Sequence, residues 1–234
     1  MLTFEERYST SHYVERVWRC HSRHGGTFLS MPEGNIELVI SRLPDLVMVT
    51  LRGPVTRAAQ MECPPDGEWL AIRFRLGTWL PQFPTATLFD RQDLNLPIMS
   101  GDRFWFTGLS WEIPTFDNAE DFVARLARAG IIVRSHIVDA AVEGDERWMS
   151  QRSVQRHFVR ATGMTLSTLQ QIQRARRAAN LLVGGHPILD AAFEAGYYDQ
   201  AHLTRSVKQL LGTTPKKLAL EQPQLSFSSK TEMP

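Results

Sequence analysis

Residues 187–215, PILDAAFEAGYYDQAHLTRSVKQLLGTTP, have the pattern of two short helices joined by a tight turn. Small apolar residues recur at helical spacing from Ile188 to Ala195, and Gly196 can end a helix without the steric penalty of a Cβ atom. Asp199 is a favourable N-cap for the second helix. A small-residue helix followed by a polar, basic helix fits the major groove of DNA, although a solvated helical hairpin would show the same pattern.

The second of these two helices has one apolar stripe. Leu203, Val207 and Leu210 recur at three- and four-residue intervals, so they are expected to face a core. The other sides of the helix carry polar and basic residues: Gln200, His202, Arg205 and Lys208. Gly212 and the pair Thr214–Pro215 mark the end of the helix.

This stretch resembles the second helix-turn-helix of the AraC/XylS family of transcription regulators, whose pattern is I-x-D-I-A-x-x-x-G-Y-x-D-Q-S-H-F-x-R-x-F-K followed by G-x-T-P. The matching residues are Ile188, Asp190, Ala192, Gly196, Tyr197, Asp199, Gln200, His202, Arg205, Lys208, Gly212, Thr214 and Pro215. The family usually has Ile, Ser, Phe and Phe at the four departures, which are Ala191, Ala201, Leu203 and Val207. The resemblance implies a sequence-specific DNA-binding regulator.

Residues 148–163, WMSQRSVQRHFVRATG, resemble the first recognition helix of the same family, L-S-x-R-x-L-x-R-x-F-x-x-x-x-G. Ser150 is expected to cap this helix, and Val154 and Phe158 to hold it to a core. The family's small-residue helix and glycine turn are replaced upstream by residues 143–148, EGDERW. We therefore expect a weaker scaffold for the first helix-turn-helix than for the second.

The resemblance and the chemistry of the side chains give a set of DNA-binding candidates. Gln pairs bidentately with adenine and Arg with guanine, while Arg and Lys elsewhere bind phosphates. The expected base-reading residues are Gln151, Arg152, Gln155, Gln200 and His202, and the expected phosphate-binding residues are Arg156, Arg205 and Lys208. The remaining candidates at the interface are Ser150, Arg160, Tyr198 and Asp199.

A long helix is predicted between the two units, from a cap at Thr165 through roughly residues 166–182. About 17 residues span roughly 26 Å. Such a rod, with the widths of its flanking helices, can place two recognition helices about one DNA turn, ~34 Å, apart. One chain could then read two successive segments of the major groove.

The N-terminal part of the chain is rich in strand-forming residues, notably at residues 36–40 and 46–51. The segments MPEGNIELVI, RGPVTR and WLAIRFRLG resemble, in that order, the N-terminal domain of a subset of AraC-type regulators. This resemblance implies a β-rich, cupin-like sensor or dimerisation domain. Glu37, Arg73 and Arg75 either face a cavity and bind a small polar effector or lie on outward faces of strands.

We predict an α+β chain of two domains with a short tail. Residues 1–115 form the β-rich sensor or dimerisation domain, residues 116–222 form an all-α, homeodomain-like double helix-turn-helix domain, and residues 223–234 form a flexible tail. Charge supports this division, since residues 151–220 contain ten Lys and Arg against three Asp and Glu, whereas residues 1–150 contain fifteen against twenty. A basic block beside an acidic one is typical of a nucleic-acid module attached to another domain.

Several function classes lack their signatures in this chain. There is no G-x-S-x-G, phosphate-loop or dinucleotide-binding motif, so we expect neither an enzyme nor a bound cofactor. The alternative is a metal-binding cupin-type enzyme fused to a helical module, with His12, His21 and His24 as candidate ligands, but their spacing matches no known metal site. Cys20 and Cys63 are expected to be free thiols.

The expected location and partners follow from these features. No apolar run approaches the length of a membrane span, and the N-terminus lacks a signal-peptide core, so we expect a cytoplasmic protein. The primary partner is double-stranded DNA. RNA polymerase, a small-molecule effector and a second copy of the chain are further candidates, and the resemblance favours an activator.

Overall fold

The computed structural model describes residues 2–83, 85–90, 93–145 and 149–226. Its contacts divide the chain into two compact units. The first unit comprises residues 1–26, 34–54 and 64–166, and the second comprises residues 27–33, 55–63 and 167–234.

Strands dominate the first half of the chain and helices the second, as predicted. The strands are β1 (Leu2–Tyr8), β2 (Val14–Ser22), β3 (Gly26–Ser30), β4 (Glu37–Leu43), β5 (Leu46–Arg52), β6 (Ala59–Cys63), β7 (Gly67–Phe74), β8 (Thr78–Trp79), β9 (Leu94–Leu96), β10 (Ile98–Met99), β11 (Arg103–Phe106), β12 (Leu109–Glu112) and β13 (Val133–Arg134). The helices are α1 (Thr85–Leu88), α2 (Ala119–Arg128), α3 (His136–Glu143), α4 (Gln151–Thr162), α5 (Leu166–Val183), α6 (Ile188–Glu194), α7 (Gln200–Leu211) and α8 (Pro215–Glu221).

The first unit is built on a six-stranded sheet in the order β1-β2-β7-β4-β5-β9. Its named strand pairs are antiparallel, and β4 and β5 form a hairpin in which Leu43 lies opposite Leu46. One face of this sheet contributes residues such as Val17, Leu38 and Ile72 to a core that also contains Phe104 of β11 and Phe122 of α2. The two strands predicted at residues 36–40 and 46–51 are thereby confirmed as β4 and β5.

The second unit has its own core, in which small residues of α5 and α6 meet larger residues of α7 and α8. Ala191 and Ala192 of α6 and Leu203 and Val207 of α7 are fully buried. Because alanine side chains are small, the helices can approach closely in this core. Strands β3 and β6 pair with each other. Leu29 of β3, Met31 directly after β3 and Ala58 directly before β6 pack in the same core.

The boundaries of these units differ from the predicted domain boundaries, which stay a prediction. Residues 27–33 and 55–63, assigned to the sensor domain, belong to the second unit because β3 pairs with β6 and not with the six-stranded sheet. Helix α4, assigned to the DNA-binding domain, belongs to the first unit. That residues 116–222 act as one DNA-binding domain remains a prediction.

The beginning of the predicted flexible tail is packed. Leu225 forms a β-bridge with Leu29 and is 3% exposed. The Ser226 hydroxyl accepts a hydrogen bond of 2.8 Å from the Met31 backbone N–H, so the prediction of a flexible tail is wrong for residues 223–226. The rest of that tail lies outside the described residues.

Among the residues that the structure describes, every helix is too short or too polar to span a membrane. Cys20 and Cys63 are not joined in a disulfide, and both are buried. Burial raises the pKa of the Cys63 thiol.

Candidate nucleic-acid interface

Helix α7 has the predicted cap and the predicted buried stripe. The Asp199 carboxylate accepts a hydrogen bond of 2.6 Å from the His202 backbone N–H, which satisfies one of the unpaired N–H groups of the first turn. Leu203 and Val207 are fully buried. Gln200, Arg205 and Lys208 are exposed, and His202 is half-buried. The helix therefore presents a polar, basic surface to solvent.

The turn before α7 is fixed by Tyr197, a residue that sequence reasoning matched to the family but gave no role. Its hydroxyl lies 2.9 Å from the Ser206 hydroxyl, and its ring meets the His202 imidazole edge-on with centroids 5.0 Å apart. The Arg174 guanidinium of α5 lies 5.8 Å from the same ring centroid. Burial raises the pKa of the Tyr197 phenol, an effect that outweighs the opposing hydrogen bond from Ser206 and the charge of Arg174. Tyr197 thus holds the imidazole of a predicted base-reading residue.

Tyr198 follows the buried Tyr197 but is exposed to solvent. Tyr198 is 87% exposed, which makes it the most exposed of the large apolar or aromatic side chains identified in the described chain. Its position directly before the Asp199 cap places an aromatic ring at the open end of α7, where a bound duplex could be reached.

Helix α4 also has the cap and the buried side chains that its sequence predicted. The Ser150 hydroxyl accepts a hydrogen bond of 3.3 Å from the Ser153 backbone N–H. Val154 and Phe158 are buried, and Gly163 ends the helix with a φ of +74°. The five predicted DNA-binding side chains of this helix, Gln151, Arg152, Gln155, Arg156 and Arg160, are all exposed.

The C-terminal end of α4 packs against residues from the N-terminal half of the chain. It contacts α1 and β8 within the first unit. The Thr85 hydroxyl donates a hydrogen bond of 3.2 Å to the Ala161 carbonyl, and the Arg160 guanidinium lies 5.0 Å from the centroid of the Trp79 ring. Nothing in the α4 sequence indicated these contacts, because each partner lies more than seventy residues before the α4 residue that it contacts.

The predicted weakness upstream of α4 is only partly observed. Helix α3 precedes α4 and buries Val138 and Ala141, and Gly144 ends it with a φ of +74°. A helix with small buried residues and a glycine turn is therefore present, and its replacement by residues 143–148 was a wrong expectation. Helix α3 begins at His136, because residues 133–134 form β13 and pair with β8. Residues 146–148 lie outside the described residues.

Glu37 and Arg73, predicted as effector ligands or outward-facing residues, are instead buried and bonded to each other. The Arg73 Nε atom donates a hydrogen bond of 2.7 Å to Glu37 Oε1, and both side chains are at most 2% exposed. Burial alone would raise the pKa of the Glu37 carboxyl, but the charges of Arg73, Arg52 and Arg16 and the hydrogen bond from Arg73 together lower it. The pair has a structural role in the sheet.

Arg75, the third predicted effector residue, is also bonded within the protein. Its guanidinium donates hydrogen bonds of 2.7 Å and 2.6 Å to the carbonyl oxygens of Ser11 and Ser9. These bonds hold the loop between β1 and β2 against β7. All three residues therefore make hydrogen bonds within the protein, and their effector-binding role stays a prediction.

A groove of about 570 Å³ lies on the first unit, away from those three residues. Its floor is formed by four adjacent strands, on which Thr3, His21, Glu68 and Arg42 are cross-strand neighbours. One wall is the segment 114–116, where the Phe116 ring lies 4.6 Å from the Arg19 guanidinium. The groove combines charged and apolar groups, as small-molecule sites do.

The histidines considered for the alternative of a metal-binding enzyme are not part of a metal-binding cluster. Within the described residues, no three His, Cys, Asp or Glu side chains come together in an arrangement that could hold a metal ion. His21 lines the groove, and the ring of His12 packs edge-on against Tyr13.

Comparisons with known proteins identify the C-terminal region. A family model described as a helix-turn-helix domain matches residues 146–220. The regulatory protein ada of Salmonella typhimurium (strain LT2) is 41% identical over 69 residues, which cover 30% of this chain and 20% of that protein. The matching region is thus about a fifth of that relative's length.

Similar solved structures include two of ToxT from Vibrio cholerae. One, at 1.65 Å resolution, has 11% sequence identity and a TM-score of 0.41, covering 93% of this chain and 98% of that one. The other, ToxT bound to (E)-4-(8-methylnaphthalen-1-yl)but-3-enoic acid, has 10% identity and a TM-score of 0.39, covering 95% and 98%.

The matched region contains both capped helices and their exposed polar faces. Residues 146–220 of this chain therefore match a helix-turn-helix domain.

Proposed function

We propose that this protein is a sequence-specific transcription regulator in which α4 and α7 each read one segment of the DNA major groove. The observation that carries the proposal is the same design in both helices. Each begins at a side-chain cap, buries one apolar stripe and leaves polar and basic residues exposed. A recognition helix contacts base edges with residues near its N-terminus, which is where the exposed Gln and Arg residues of α4 lie.

The roles of individual residues follow from their chemistry and exposure. Gln151, Arg152 and Gln155 of α4 read bases, as do Gln200 and His202 of α7. Arg156, Arg205 and Lys208 bind phosphates. Ser150 and Asp199 fix the helix ends that approach the duplex, and Tyr198 and Arg160 lie at the edges of the interface.

The N-terminal unit is proposed to respond to a small-molecule effector. The support is the groove beside segment 114–116, which offers both charged and apolar contacts. This segment leads directly into α2, whose Glu120 pairs with Arg7 of β1. A ligand that ordered the segment would therefore act on a helix as well as on the sheet.

Other partners are proposed from the family resemblance. RNA polymerase and a second copy of the chain would complete a regulator that activates transcription. We propose no enzymatic activity for this protein.

Selection of bound sequences from a random DNA pool, at near-physiological salt, tests the proposed function. We expect enrichment of two short elements, with the Arg152→Ala variant losing preference in one of them. Arg128→Ala is the matched control, because Arg128 is an exposed arginine on α2 and belongs to neither recognition helix. If the wild-type chain enriched no sequence from the pool, either alone or with added small-molecule extracts, the proposal would be contradicted.

A further inference from the structure

The end of α4 has carbonyl groups that the helix itself cannot pair. The last four carbonyls of an α-helix lack an intrahelical partner and need one from elsewhere. In α4, the Val159 carbonyl accepts from the Gly163 N–H, and the Phe158 carbonyl also accepts from the Thr162 hydroxyl. The Ala161 carbonyl accepts from Thr85, which is 1% exposed. A residue of α1 therefore completes the end of the helix.

The backbone beyond α4 approaches the same part of the N-terminal half. A Cβ atom added at Gly163 would lie 3.1 Å from Phe89 and 3.4 Å from Thr85. The positive φ and this close approach both favour glycine at this position. The end of α4 is thus seated against residues 85–89.

A second contact holds the exposed side of α4. The Arg160 guanidinium is directed at the face of Trp79 in β8, and β8 pairs with β13, which leads into α3. A guanidinium over an indole ring is attracted by the ring's negative face. The chain just before α3 thus pairs with β8, and the C-terminal end of α4 contacts both β8 and α1.

We propose that Trp79 and Thr85 are positioning residues for DNA reading by α4, so that the N-terminal half controls the first DNA element separately from the second. This inference rests on the proposed function. Neither residue contacts DNA in this proposal. They set the orientation of α4 and the resting place of the Arg160 side chain, while α7 is held by a different core.

The test compares two variants of Thr85 in the full chain. Thr85→Val keeps the shape of the side chain but removes the donor to Ala161, whereas Thr85→Ser keeps the donor. Binding is measured on duplexes in which one selected element is intact and the other is scrambled. Loss of a single hydrogen bond corresponds to about a 2- to 12-fold change in an equilibrium constant. We expect Thr85→Val to weaken binding to the first-element duplex within that range, Thr85→Ser to restore it, and the second-element duplex to bind unchanged.

Trp79 provides an independent measurement. Trp79→Ala should weaken the first-element duplex about 2- to 5-fold, as expected for loss of a partly exposed cation–π contact, and Trp79→Phe should recover most of the loss. Tyr197→Phe is the matched control in the second unit, because it removes the hydroxyl that bonds Ser206 and should affect only the second element.

The outcomes separate this inference from the proposed function. Equal weakening of both duplexes by Thr85→Val would show general destabilisation and overturn the inference, as would unchanged binding to the first. Failure of the wild-type chain to select any element would instead overturn the proposed function.

Discussion

Helices α4 and α7 have the same length and the same design but are held by different surroundings. Each has twelve residues, a side-chain cap, and a left-handed glycine at its end. Helix α7 packs in a mainly helical core with α5, α6 and α8, to which Leu29, Met31 and Ala58 also contribute. Helix α4 packs on α3, α1 and β8 in the unit that contains the six-stranded sheet.

A recognition-helix motif therefore specifies the helix but not the residues that support it. The motif includes the cap, the apolar stripe and the exposed polar residues. It does not include Trp79 or Thr85, which lie far away in the sequence. Substitutions that act on the residues supporting one helix and not the other therefore test whether the two helices are held independently.

The largest effects are expected from the buried residues of the two helices. Phe158→Ala should destabilise the first unit by about 3–5 kcal/mol, and Leu203→Ala should destabilise the second by about 2–5 kcal/mol, because each leaves a cavity in a packed core. Hydrogen exchange measures which amides lose protection. If Phe158→Ala exposed α8 amides and left those of β7 protected, the assignment of α4 to the unit of the sheet would be wrong.

The next effect concerns the buried Glu37–Arg73 pair. Glu37→Gln should cost about 3 kcal/mol, because it leaves the Arg73 charge buried without its counter-ion. The lowered pKa of Glu37 stabilises the folded state above the carboxyl's ordinary pKa of 4.5, and this stabilisation is lost as pH falls towards the folded-state pKa. Acid should therefore weaken the protection of β4 and α4 amides in the wild type.

The control for this acid effect is the variant itself. The Glu37→Gln variant has no titratable carboxyl at this position. Below pH 4.5 its β4 and α4 amides should therefore lose less protection from hydrogen exchange than those of the wild type. Equal acid sensitivity in the variant and the wild type would show that Glu37 does not contribute.

A smaller effect distinguishes base reading from phosphate binding. Arg152→Ala should cost about 1–3 kcal/mol of binding free energy on the selected site and relax preference at one base pair. Lys208→Ala should weaken binding to all sequences similarly and reduce the slope of affinity against salt. Titrations of selected and scrambled duplexes at several salt concentrations measure both. Arg152→Ala weakening every duplex equally would remove its base-reading role.

The smallest effects are expected from the caps. Asp199→Ala should cost about 1–2 kcal/mol, since a charged cap interacts with the helix dipole as well as with the His202 N–H. Ser150→Ala should cost about 0.5–1 kcal/mol, because the hydroxyl is neutral and its hydrogen bond is longer, at 3.3 Å. Urea denaturation measures both, and a larger cost for Ser150→Ala would reverse the comparison.

The sequence predicted what is local and missed what depends on distant contacts. The caps at Ser150 and Asp199 and the buried stripe of α7 follow from residue type and spacing, and the structure confirms them. The burial of Arg73 was missed, because the alternation within β7 predicts only one covered face, whereas residues 71–74 are all buried.

Long-range pairing also explains the other differences. The alternation and turns of β3 and β6 do not indicate that these strands pair with each other, nor that residues 225–226 join them. Similarly, the apolar residues Ile131 and Ile132 fit a helix by pattern but are buried in the core of the sheet unit. The exposure of the predicted DNA-binding residues agrees with their proposed roles, and those roles stay predictions.

The most direct test of the central claim, that one chain reads DNA with both α4 and α7, is a change of spacing in the selected site. Insertion of five base pairs between the two elements places them on opposite faces of the duplex. Insertion of ten or eleven base pairs, about one helical turn, returns them to the same face. The account predicts that a five-base-pair insertion lowers the affinity of the full chain to that of a single-element duplex. Unchanged affinity after this insertion would contradict reading by both helices.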